Sequence, residues 1–219
     1  MSFLKGKRVL ITAGPTYERI DDVRFIGNFS SGKMGFALAE SALRMGAVVS
    51  LVTGPTCLHC DPAIDRIDIE SANDMYYKVM ALSKEQDIII MSAAVADYTP
   101  KFKQNGKIKK KEDSLTIELV KTKDILRELG KNKKDNQVLI GFALESEKLL
   151  EYAKDKLERK NCNIIVANSA NSANSGFGKD INTVTIIDDK ENVKEIATAP
   201  KSELAYTILE YVSEYSEKL

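Results

Sequence analysis

Apolar residues fall in short runs along this chain, and nearly every run ends on a turn signal or a polar stretch with helical spacing. Arg8 to Ala13 (RVLITA) is the first, closing on Gly14-Pro15 as a strand that ends in a turn. From Lys33 to Met45 the spacing changes: Met34, Ala37, Leu38 and Ala42 share one helical face, and Gly46 stands where a helix stops. Val48 to Val52 predicts the next strand. Arg66 to Glu70 (RIDIE) alternates, and Ser71-Ala72-Asn73-Asp74 then offers a helix cap. Asp87 to Met91 (DIIIM) has no polar face, so it predicts a strand covered on both sides.

The second half repeats the alternation. Tyr98 to Asp113 is polar, lysine-rich and carries Gly106, which predicts a mobile loop. Leu115 to Val120 (LTIELV) alternates as a strand, and Thr122-Lys123-Asp124 caps a helix running through Leu129. Val138 to Ala143 predicts a strand, Glu145 to Lys160 a charged amphipathic helix, and Asn163 to Ala167 a strand. The small residues SANSANSGFG form a loop before a strand at Thr183 to Ile187 and a closing helix at Pro200 to Tyr215. The sum is a three-layer, Rossmann-like α/β sandwich with a mostly parallel sheet and a small antiparallel extension around Leu115 to Val120. All 219 residues read as one domain, with a flexible lysine-rich loop at about residues 99–113.

Composition narrows the function. An apolar content of 43% suffices for a large core. Lysine plus arginine equal aspartate plus glutamate at 32 each, so no overall field draws nucleic acid or an anionic membrane. No run nears the roughly 20 apolar residues a bilayer demands. The opening MSFLKGKRVLITAG lacks a secretory signal, and three cysteines fit a reducing compartment, so a cytoplasmic location is expected. Cys57-Leu58-His59-Cys60 gathers three metal-ligand types, but a zinc site wants a fourth, and Cys162 is far away. It reads as a loop.

In an open parallel sheet, ligands bind beyond the carboxyl ends of the strands. The unusual segments all fall there: Gly14 to Asn28, Gly54 onward, Ser92 to Asp97, Phe142 to Glu145, and Asn168 to Asn182. Any one alone is a turn; five together mark a site. GNFSSGKMG (residues 27–35) imitates a P-loop but puts Met34 where a magnesium-binding hydroxyl belongs. What remains is a helix start at Ser30, Ser31 and Gly32 whose amides suit an anion, with Lys33 adding charge, or simply Ser31 as an ordinary N-cap. Asp97, after Ala93, Ala94 and Ala96, suits a magnesium ion, a ribose or an Asx turn. Lys107, Lys109, Lys110 and Lys111 fit either a lid over a polyphosphate or a solvated surface. Lys156 and Lys160 lie one helical turn apart on one face. A nicotinamide-dependent reductase is the main rival, but Gly14 is followed by no second glycine until Gly27, and the helix next after the fourth strand carries no Tyr-x-x-x-Lys pair.

ITAGPTYERIDDVRFIGNFSSGKMG resembles the opening of the phosphopantothenate–cysteine ligase family, also called phosphopantothenoylcysteine synthetase, of coenzyme A biosynthesis. The resemblance continues in order through SAAVADYTP, KIKKK, LTIELVKTKDIL, GFALESE, YAKDKLERKNCNIIVAN and GFGKDINTVTII, nearly the whole chain. In many bacteria this domain is fused behind a flavin-dependent decarboxylase; the chain begins at the ligase's own first strand, so a stand-alone form is expected. The resemblance implies joining of 4′-phosphopantothenate to L-cysteine through an acyl-cytidylate, with CTP giving CMP and pyrophosphate. It assigns catalysis to Asn28, Lys107 and Arg24. It implies nucleotide contacts at Gly14, Ala93, Ala94, Asp97, Lys107, Phe142, Lys156 and Lys160, substrate contacts at Asn28, Ser31, Gly32 and Ala94, and magnesium at Asp97. It further implies a homodimer, with LTIELV in the dimerising extension. Three departures touch the nucleotide pocket: Gly14-Pro15 for the usual glycine pair, Leu144 for alanine, and Gly27 where serine is frequent. A non-catalytic nucleotide-binding regulator is the second rival, and it would not need Asn28 and Lys107 together.

Overall fold

The computed structural model describes residues 4–109, 114–145, 149–169 and 179–218. Strand β1 (Arg8–Ala13) leads through a small hairpin, β2 (Glu18–Arg19) and β3 (Phe25–Ile26), into helix α1 (Lys33–Arg44) and strand β4 (Val48–Thr53). Next come β5 (Asp65–Asp68), α2 (Ala72–Ser83), β6 (Ile88–Met91), β7 (Tyr98–Pro100) and β8 (Leu119–Lys121). The remainder is α3 (Ile125–Asn132), β9 (Val138–Glu145), α4 (Leu149–Lys160), β10 (Ile164–Ser169), β11 (Ile181–Asp188), β12 (Val193–Pro200) and α5 (Lys201–Ser216).

Eight strands form the central sheet in the order β12-β11-β10-β9-β6-β1-β4-β5. Pairing is parallel from β5 to β10, and β11 and β12 add antiparallel. The absence of alternation has a plain cause: both faces are covered. Val9, Ile11, Ile88 and Ile90 pack with Leu38, Ala42, Leu204 and Ile208 of α1 and α5 on one face. Leu10, Ile89 and Leu139 pack with Met75, Val79, Leu129 and Leu157 of α2, α3 and α4 on the other. The sandwich therefore has three layers, as the sequence implies.

β1 has β4 on one side and β6 on the other, while α1 and α2 lie on opposite faces. This is a topological switch point, where the chain leaving two neighbouring strands diverges and opens a crevice. Its lips are laced together: the Ala94 amide donates to the Gly14 carbonyl at 2.9 Å, and the Ala96 amide to Thr16 Oγ1 at 3.0 Å.

Residues 101–109 meet the segment between β2 and β3, where the amides of Gln104, Gly106 and Ile108 donate to Ile20 O, Asp22 Oδ2 and Asp21 Oδ2. Polar composition cannot reveal acceptors some eighty residues away in sequence. Several local expectations fail for physical reasons. Tyr98–Pro100 is a strand, paired with β8 in a two-stranded antiparallel sheet. Of the predicted strand LTIELV only its end, Leu119 and Val120, is a strand, and Leu115 faces solvent rather than a core. Glu145 ends β9 rather than opening α4. β12 went unpredicted because, as an exposed edge strand, it carries no alternation. Lys110 to Asp113 and most of SANSANSGFG lie outside the described residues.

Candidate active site

A cavity of about 350 Å³ opens at the carboxyl ends of the strands, above the switch point. Asn28 and the start of α1 form one wall; Ser92 to Val95 and Asp97, after β6, form the opposite one; Phe142 of β9 and Lys156 of α4 close a third side, and Asn168, Asn182 and Lys201 the last. A second hollow of about 470 Å³ shares Ala93, Val95, Asp97, Phe142 and Lys156 with it and continues past Thr122 to Leu126 as far as Lys160. Together they make one trough, and the waist where they join is lined by Asp97 and Phe142.

Small residues bring the start of α1 to this place. Gly32 caps the helix in the left-handed region (φ 80°) with no side-chain hydrogen bond. A Cβ on Gly32 would sit 3.3 Å from Gly14 Cα, and one on Gly35 would sit 2.5 Å from Ala13 Cβ. The first turn of α1 thus rides directly on the end of β1. The preceding segment is an Asx turn, Asn28 Oδ1 accepting from the Ser30 amide at 3.1 Å.

The positive side of the trough is built on α4 and α5. Lys156 Nζ donates to the Phe142 carbonyl at 2.7 Å, which spans the waist. Lys160 pairs with Asp124, whose carboxylate also caps α3 through the Arg127 amide. Burial works against the charge on Asp124, but the Lys160 and Arg127 hydrogen bonds hold its carboxyl below the ordinary range. Lys201 is only 9% exposed, and desolvation lowers its hold on a proton, reinforced by the neighbouring Lys33 charge. Cys162 lies beneath the trough, and burial pushes its thiol up to about 12 despite Lys156, Lys133 and Lys160. It stays a neutral thiol and is no nucleophile.

Asn28, Ser31, Gly32, Ala93, Ala94, Asp97, Phe142 and Lys156, eight residues singled out from sequence, therefore wall one cavity, and Lys160 walls its extension. Gly14 lies beneath as a turn (φ 74°) that supplies its carbonyl to Ala94. Arg24 and Lys107 wall neither hollow. Arg24 instead lines a separate recess with Tyr17 and Phe25, pairs with Asp21 at 2.8 Å and donates to the Ile108 carbonyl at 2.7 Å. Ser31 is no N-cap; Gly32 holds that position. Among the described residues neither Cys57, His59 and Cys60 nor Asp97 belongs to a group of three or more metal-holding side chains.

Sequence reasoning missed Lys201, the pair Asn168 and Asn182 as individual walls, and Lys123. Asn182 reaches the cavity through a bulge in β11, between Asn182 and Val184, which no spacing rule announces. Asn168 Oδ1 is buried with no partner among the described residues. Lys123 sits 4.3 Å from the ring centroids of both Tyr76 and Tyr77, a cation–π seat formed by residues of α2.

Sheet order, crossovers and trough define a Rossmann-like α/β protein with a small-molecule cavity at its topological switch point. The chain belongs to the DNA/pantothenate metabolism flavoprotein C-terminal domain family, whose model matches residues 4–215. It is 44% identical over 216 residues to the coenzyme A biosynthesis bifunctional protein CoaBC of Bacillus subtilis (strain 168), covering 98% of this chain and 53% of that protein. It is 47% identical over 207 residues to a cysteine/cysteine sulfinic acid decarboxylase of an unknown prokaryotic organism, covering 94% of this chain and 58% of that one. The crystal structure of the C-terminal domain of a CoaBC protein matches over 100% of both chains at 43% identity, with a TM-score of 0.86. The chain spans about half the length of the curated relatives it matches.

Proposed function

We propose that the trough joins 4′-phosphopantothenate to L-cysteine in coenzyme A biosynthesis, using CTP. One observation carries this reading: Asn28, Ala94, Asp97, Phe142 and Lys156, distant in sequence, wall one cavity. The substrate carboxylate attacks the α-phosphorus, pyrophosphate leaves, and the resulting acyl-cytidylate passes its acyl group to the cysteine amine as CMP departs. Lys156 and Lys160 suit the nucleotide phosphates. The Asp97 carboxylate suits magnesium, which is held by one or two carboxylates together with substrate phosphates. The Asn28 amide offers neutral hydrogen bonds to the acyl group, so it steadies the anhydride without acting as a base for water. The 44% identity to CoaBC supports the pathway.

The homodimer and a cytoplasmic location belong to the same proposal; no helix among the described residues is long and apolar enough to cross a membrane. Arg24 and Lys107 are joined through the Ile108 segment yet stand off the cavity, so a second copy of the chain is what would bring the pair to it. The deciding experiment is a single turnover with phosphopantothenate, cysteine and each of the four triphosphates, following pyrophosphate, carbon dioxide and the acyl nucleotide. CTP should give pyrophosphate in one burst, and Asn28→Asp should accumulate the acyl-cytidylate, seen by mass spectrometry. Absence of pyrophosphate with all four, or release of carbon dioxide instead, overturns the ligase reading.

A further inference from the structure

Both helices whose first turns meet the cavity begin with a lysine, Lys33 in α1 and Lys201 in α5. A cation there opposes the helix dipole, which favours acidic groups at that end. Neither N-cap, Gly32 or Pro200, gives a side-chain hydrogen bond, whereas Ser71 and Asp124 cap α2 and α3 through theirs. The exceptions coincide at one place.

Lys201 is the sharper anomaly. Its side chain is nine-tenths buried, and Nζ donates to the Lys179 carbonyl at 2.6 Å. Among the described residues no carboxylate forms a salt bridge with it; Asp180, whose charge reaches it, pairs directly with Lys33 at 2.5 Å and is itself well exposed. A buried ammonium with no directly paired carboxylate is expensive, so it persists where a ligand supplies the missing contact. Two ammonium groups and two helix starts together call for a multiply charged anion rather than a single carboxylate.

Resting on the reading of this cavity as a nucleotide site, we propose that Lys201, with Lys33 and the first turns of α1 and α5, holds the terminal phosphates of the triphosphate and the pyrophosphate they become. The Lys33–Asp180 pair sits at the rim as a charge that the ligand's own phosphates displace. Lys201 is a binding residue for the leaving group and takes no proton in the reaction.

Calorimetric titration with inorganic pyrophosphate, CTP and CMP, all in magnesium buffer, tests this on the whole chain. Lys201→Met should raise the Kd for pyrophosphate and CTP about tenfold and leave CMP unchanged, the scale of one charge-assisted hydrogen bond. Lys201→Arg should restore most of it. Asp180→Asn, a change at an exposed side chain, should tighten pyrophosphate binding by removing the rim's competing charge. A cooperatively melting Lys201→Met chain that binds pyrophosphate as the wild type does overturns the proposal, as does a rise in KM for cysteine with pyrophosphate binding untouched. Should Lys201→Met fail to fold, an unchanged pyrophosphate affinity in Asp180→Asn is sufficient to overturn it. Pyrophosphate binding needs no turnover, so failure of the ligase reading leaves this result legible.

Discussion

An alanine at position 35 would place its Cβ 2.5 Å from Ala13 Cβ and 3.0 Å from the Thr12 carbonyl oxygen, with backbone and a short side chain as the only atoms that could yield. The helix start would have to lift from β1, carrying Lys33 and Met34 with it. Gly35→Ala is therefore expected to lower stability by about 1–3 kcal/mol, the usual cost of overpacking, and to shift a urea midpoint without changing its slope. Glycine at this position was visible in GNFSSGKMG; its reason was not, because the partner atoms belong to another strand. The same holds for Lys201. A lysine following proline at a helix start is a local contradiction readable from sequence, and such contradictions tend to mark functional sites. It went unremarked because the sequence alone does not show which helix starts converge. Asn28 and Asp97 were legible because the one lies in the segment joining β1 to α1 and the other follows β6, so the parallel-sheet rule places both on one rim.

At the scale of elements, two tethers are open to test. The β2–β3 hairpin is held to residues 101–109 by Asp21, whose side chain is fully covered. The Ile108 amide, above all, holds its carboxyl down to about 2; burial opposes this, and the Val23 and Arg24 amides and the Arg24 guanidinium assist. Because the folded value lies below the ordinary 3.8, the contribution is complete above that pH and disappears as pH falls towards 2. The protection of the Ile108 amide, measured as its exchange rate against the intrinsic rate at each pH, should fall over that window, and Asp21→Asn should remove the pH dependence of that ratio. The second tether is the capping box of α2, in which Ser71 Oγ accepts from the Asp74 amide and Asp74 returns a bond to the Ser71 amide. Ser71→Ala should cost about 1 kcal/mol in thermal or urea unfolding. That cap was readable from four letters because its partners are neighbours in sequence. The tether at Asp21 was unreadable because its partners are eighty-seven residues apart.

For the molecule as a whole, periodicity revealed the layers and the rim, since covering both faces of a parallel sheet leaves a signature in every strand. The outer edge escaped: β12 is exposed, so nothing selects an alternation in it. The position of Lys107 is the consequence that matters. The resemblance puts it at the chemistry with Asn28, and one chain puts it elsewhere, fastened with Arg24 around Ile108. Both hold if each site of a two-fold dimer takes Asn28 from one copy and Lys107 from the other. Then Asn28→Asp and Lys107→Gln chains, each nearly inactive alone, should regain activity when unfolded together and refolded as a mixture. Half the dimers would be mixed, and in each of these one site would carry both lesions and the other none. Recovery of about a quarter of wild-type turnover is therefore expected. If Lys107 instead serves the cavity of its own chain, every site in a mixed dimer keeps one lesion and no activity returns. The ratio of recovered to wild-type pyrophosphate release separates the two arrangements without a ligand-bound structure.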